Sequence, residues 1–146
     1  MLDRADDLNQ QKGAFQSANA WIQEIAEPIE FKGHFRVFDY SVSHSQLVIR
    51  HSWREGEQNL NLDLLFDGVD YIDLPVHLED PILSAGGETD LARLAETRPS
   101  LHKSYRDVFV LESSGCRFVV VAALLKIVKS DLPPMESIVI RVDEAL

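Results

Sequence analysis

Apolar positions recur at helical spacing near the start of the chain. Leu8, Phe15, Ala18, Ile22 and Ile25 fall on one face, while Asn9, Gln10, Gln16, Asn19 and Gln23 occupy the others. The spacing predicts an amphipathic helix that ends before Pro28, with Trp21 bordering its apolar stripe. From residue 34 the period changes to two. Phe38, Tyr40 and Val42 alternate with polar neighbours, and Leu47, Ile49 and His51 repeat the pattern after a short polar stretch. A turn at His44-Ser45 predicts a hairpin that pairs Val42 with Leu47, Tyr40 with Ile49 and Phe38 with His51. Its opposite face then pairs Asp39 with Arg50.

Leu60, Leu62, Leu64 and Phe66 alternate strictly up to Asp67-Gly68, a dipeptide suited to a type I′ turn. They predict a second hairpin that returns through Val69, Tyr71, Ile72 and Leu74 and sets Asp73 beside Leu62. Prolines and Gly86-Gly87 make residues 75 to 88 an expected loop, followed by a short helix capped at Thr89 and carrying Leu91, Leu94 and Ala95. Val108 to Leu111 reads as a strand and Ser113-Ser114-Gly115 as a turn. The apolar run from Arg117 to Val128 fits a central strand or a buried helix, and Ile138, Ile140 and Val142 predict a last strand. The expected fold is therefore α+β: a largely antiparallel sheet built from sequential hairpins, packed by the N-terminal helix, with a second short helix. At 146 residues, with no repeat or linker, one domain over 1–146 is expected.

Charge changes the picture on the side of function. The chain carries 24 acidic against 14 basic residues, a formal charge of −10. Such a field repels phosphate backbones and anionic membranes, and no run of Lys and Arg opposes it, so neither nucleic acid nor membrane is an expected partner. A basic protein partner suits it better. Cys116 stands alone, which excludes an intramolecular disulfide and a cysteine-rich zinc site. With no apolar signal stretch, cytoplasm is the expected location.

Strong catalytic or cofactor motifs are missing: no phosphate-binding loop, no Gly-x-Ser-x-Gly elbow, no His-Glu-x-x-His pair and no calcium-binding loop. No metal and no cofactor is expected. Three side chains are candidates for catalysis. His51 ends an apolar stripe, His77 sits near Glu79 and Asp80 in the expected loop, and Asp73 falls on an apolar face where burial would raise its carboxyl. The plainer reading makes the histidines rim residues and the acids of Asp63 to Asp80 a solvated hairpin. Candidates for binding are Trp53, as an exposed anchor, with Asp67 and Asp70 on the acidic hairpin. Cys116 reads as a buried small apolar residue. Together these favour a non-enzymatic interaction module of bacterial type, an accessory or immunity-type inhibitor domain that offers an acidic surface to a basic partner. The competing reading is a small hydrolase or metal-dependent enzyme built on His51, His77 and Asp73 beside the 75–88 loop. A homodimer formed through a sheet edge or the N-terminal helix is the third.

Overall fold

The computed structural model describes residues 20–97 and 107–139. Within them the chain runs β1 (Ile29–Glu30), β2 (His34–Ser41), β3 (Gln46–Glu55), β4 (Gln58–Asp67), β5 (Tyr71–Asp73), β6 (His77–Glu79) and β7 (Ile82–Ala85). After the helix α1 (Glu88–Thr97) come β8 (Asp107–Ser113), β9 (Cys116–Ala122) and β10 (Leu124–Ser130). The strands form two antiparallel sheets, a first in the order β10-β4-β3-β2-β6 and a second in the order β1-β7-β8-β9-β5. Leu47, Ile49, Leu62, Leu64, Phe66 and Ile127 of the first sheet share one buried cluster with Leu83, Phe109, Leu111 and Val120 of the second. Phe66 and Phe109 meet edge to face across it, ring centroids 5.5 Å apart.

Among the described residues the architecture is thus two antiparallel sheets around a common core, with one short helix, and not the expected α+β arrangement. Among the described residues no helix fills the role assigned to the N-terminal segment. Most of that stripe lies outside the described residues, and its described end is not helical: Ile22 exchanges backbone hydrogen bonds with Leu125 on β10. The core is instead covered by the second sheet. Sequence periodicity shows that a strand has an apolar face, but not whether a helix or another sheet will cover it.

The first hairpin forms with a different register. Tyr40 faces Leu47, Asp39 faces Val48, and beyond a bulge Val37 faces Ile49 and Arg36 faces Arg50. The turn is longer than two residues, with Ser45 at φ 50°, so the predicted pairing is displaced and Asp39 does not meet Arg50. The second predicted hairpin does not form. β4 already has β3 on one side, through a two-residue turn at Gly56-Glu57, and β10 on the other. With both edges of β4 taken, Asp67-Gly68 becomes a corner. Gly68 takes φ 66°, the Val69 N–H donates to Ser45 O, and the Asp70 N–H donates to Val121 O in the second sheet. β5 therefore pairs with β9 and not with β4. Asp73 lies opposite Val119, away from Leu62.

The segment expected to be a loop holds β6 and β7, each in a different sheet. The apolar run after Arg117 resolves into strands, β9 and β10, which change sheets at Ala123. Ser114 and Gly115, at φ 53° and 80°, close the β8–β9 turn. Ile138 and Val139 are not in a strand; with Phe38 they cover Val48 and Leu65 on the outer face of the first sheet. The rest of that predicted strand lies outside the described residues.

This covering segment explains two outward-facing polar residues that are fully buried, Asn61 and Asp63. Asn61 Nδ2 donates to Leu132 O at 2.9 Å. Arg50 makes a bidentate pair with Asp63, at 2.7 and 2.9 Å, and its Nη1 donates to Pro134 O and Glu136 O at 2.9 and 2.6 Å. The guanidinium also lies over the Phe38 ring, 4.1 Å from its centroid. Four donations from the guanidinium, two of them to a carboxylate, meet the condition for burying such a charge.

Candidate functional site

The edge of the first sheet brings together histidines that are far apart in sequence. β2 pairs with β6 so that His34 faces Glu79 and Arg36 faces His77. The His34 Nδ1 bonds the Glu79 carboxylate, and its Nε2 lies 2.9 Å from His77 Nδ1. An ionised carboxylate only accepts, so the hydrogen of neutral His34 sits on Nδ1 and its lone pair on Nε2 points at His77. His51 joins from β3: its Nδ1 is 2.9 Å from His34 O, and its ring stacks on Trp53 at 5.1 Å. His34, Arg36, Arg50, His51, Ser52 and His77 line a small depression there.

The strands hold these rings firmly. Leu78, between His77 and Glu79, is buried in the core. The Glu79 N–H donates to Ser113 Oγ at 2.8 Å, and the Gly33 N–H donates to Asp80 Oδ1 at 2.7 Å, which ties β6 to both sheets. Gly33 takes φ 107°, and a β-carbon there would sit 2.4 Å from the His51 ring. The His51 position therefore requires glycine.

His51 and His77 thus share one neighbourhood, but Asp73 does not join them. It belongs to the second sheet and lines a cavity of about 670 Å³ with Tyr71, Asp90, Arg93, Arg117 and Val119. Trp53 is 6% exposed and packs in the core, so it offers no surface anchor. Asp67 accepts from Gln46 Nε2 at 2.9 Å, whereas Asp70 is exposed. Cys116 is exposed at the start of β9, which corrects the expectation of a buried thiol. His34, the centre of the cluster, is not singled out by sequence. Its partners are 43 and 45 residues away, and only the β2–β6 pairing connects them.

Elsewhere, charge is handled in two ways. At α1, partial burial favours the neutral form of Asp90, but bonds from Arg117 and the Gly87 N–H, with the charge of Arg93, outweigh it and hold its carboxyl below the usual aspartate range. Asp90 Oδ2 accepts from Gly87 N at 2.8 Å, closing the first turn, so the cap is Asp90 and not Thr89. Asp107 behaves oppositely: burial first, then the nearby charge of Glu24, push its carboxyl up. At the core pair, burial raises Asp63 more than the Arg50 guanidinium lowers it.

Chemically, the histidine cluster offers imidazole lone pairs and a carboxylate that orients one of them. Ser52, the one hydroxyl in the depression, donates to Asn61 Oδ1 and is not aligned with a histidine. Among the described residues no three of His, Cys, Asp and Glu converge as a metal-ligand set, and no helix is long and apolar enough to cross a membrane. No family model, curated protein or solved structure matches the chain.

Proposed function

We propose that the protein is a non-enzymatic, cytoplasmic interaction module that uses an acidic surface on a basic protein partner. The observation that carries this reading is the acidic margin that leads into β1. Glu24, Glu27 and Glu30 are all exposed, no lysine or arginine lies between them in sequence, and the Glu24 charge adds to burial in raising the carboxyl of the neighbouring Asp107. An exposed negative field of this kind attracts a cationic surface, which gains both attraction and orientation on approach. Glu30 is on β1, an edge strand of the second sheet, and Glu24 and Glu27 lie on the segment that leads into it. The exposed free thiol of Cys116 suits a reducing compartment.

The separation of Asp73 from His51 and His77, and the absence of a hydroxyl or thiol aligned with a histidine in the depression, favour binding over a hydrolytic reading. The test is capture on immobilised protein, comparing the native chain with a Glu24→Gln, Glu27→Gln, Glu30→Gln variant. A basic protein retained by the native chain and lost by the variant is the expected result. Equal retention by both, or partners without excess positive charge, contradicts the proposal.

A further inference from the structure

We propose that His34 Nε2 and His77 Nδ1 form a binding site for a divalent transition-metal ion of the zinc, nickel and copper group. Two imidazole nitrogens bound to one such ion at about 2.0–2.1 Å must lie roughly 2.9–3.4 Å apart for coordination angles between square and tetrahedral. The observed separation is 2.9 Å, which matches a coordination angle near 90°; a tetrahedral ion requires the two rings to part by a few tenths of an ångström. The His34 lone pair already points into the gap, because Glu79 fixes the hydrogen on the other nitrogen. A carboxylate behind a ligating histidine is the usual support of such sites: it sets the tautomer and raises the basicity of the ligand. His77 needs only to carry its hydrogen on Nε2 for Nδ1 to turn from donor to ligand.

The surroundings permit this. Arg36, opposite His77 in the register, is the nearest cation on these strands, and its guanidinium is drawn towards Met135 Sδ, 3.5 Å away, and the Phe38 ring. Arg50 is neutralised by Asp63. His34 is about half exposed, so water can complete the coordination shell. The remaining positions are open to a donor group from a molecule that docks on this edge.

The experiment is titration calorimetry of tag-free, metal-stripped protein with zinc chloride and, separately, nickel chloride. One ion per chain is expected. His34→Gln and His77→Gln each abolish the heat or weaken binding at least tenfold, and Glu79→Gln weakens it by about 10–100-fold. His44→Gln, whose ring bonds Ser41 and Ser43 instead, leaves it unchanged. NMR of the imidazole resonances in the native chain checks the site without any variant: those of His34 and His77 shift or broaden first on adding zinc. Absence of binding overturns the proposal. So does native affinity retained by the His34→Gln or His77→Gln variant, or a first response at another histidine.

Discussion

Gly33 has no room for a β-carbon: the His51 ring fills that space, and the backbone stands at a positive φ. Gly33→Ala therefore combines a strained backbone with an expelled ring. It is expected to cost about 1–3 kcal/mol, read from urea unfolding midpoints, and to displace His51 from His34 O. A substitution without effect would mean that His51 is not held where the fold places it. Asp63 is the second residue whose role is decided by burial. Asp63→Asn leaves the Arg50 charge buried without its counter-charge, at an expected cost of about 3–5 kcal/mol. Replacing both, as Arg50→Met with Asp63→Leu, recovers most of that loss. Because Arg50 also binds Pro134 O and Glu136 O, the double variant is expected to speed amide exchange in residues 134–139 even where stability is regained. Neither role is legible in the sequence. Asp39 was the natural partner for Arg50 by local pairing. The actual partner lies one strand further on, and the segment that buries the pair is more than 80 residues from Arg50.

Elements were legible where a signal is local. The alternation of Leu60, Leu62, Leu64 and Phe66 marks β4, and Leu91, Leu94 and Ala95 mark α1. Ser114-Gly115 marks the β8–β9 turn. What failed was the inference from a turn dipeptide to a partner strand. Asp67-Gly68 supplies the positive φ of a turn, yet β10 competes for the edge of β4 and wins, so the same glycine turns the chain into the other sheet. The helix adds a prediction tied to pH. The carboxyl of Asp90 is held below the ordinary value of 3.8, so its contribution is present above that pH and is lost as pH falls through the depressed folded value. Asp90→Ala is expected to cost about 1 kcal/mol at neutral pH through loss of the cap. The difference from the native chain then shrinks below pH 3.8, as thermal melts at pH 7 and pH 3 can show. An unchanged difference at the two values would separate the cap from the charge.

At the scale of the molecule, the two sheets protect themselves by brevity. The edge strands β1, β5 and β6 are two or three residues long, which limits pairing with other chains. The longest edge, β10, is bridged at Leu125 by Ile22. A surface that avoids strand addition and carries a net charge of −10 is suited to recognition by side-chain charge, and Glu24, Glu27 and Glu30 are exposed carriers of it. The net charge was legible at once, but its distribution was not. The acids that cluster in sequence between Asp63 and Asp80 scatter over a buried ion pair, a corner and both sheets. Those at residues 24, 27 and 30 are each exposed, Glu30 on the edge strand β1 and the other two on the segment before it.

The measurement that tests the account most directly is the salt dependence of affinity for the captured partner, for the native chain and for the Glu24→Gln, Glu27→Gln, Glu30→Gln variant. The account predicts that native affinity falls steadily as salt rises, and that the variant binds more weakly with a shallower dependence. An affinity indifferent to salt, or the same in both proteins, would contradict recognition through the acidic margin.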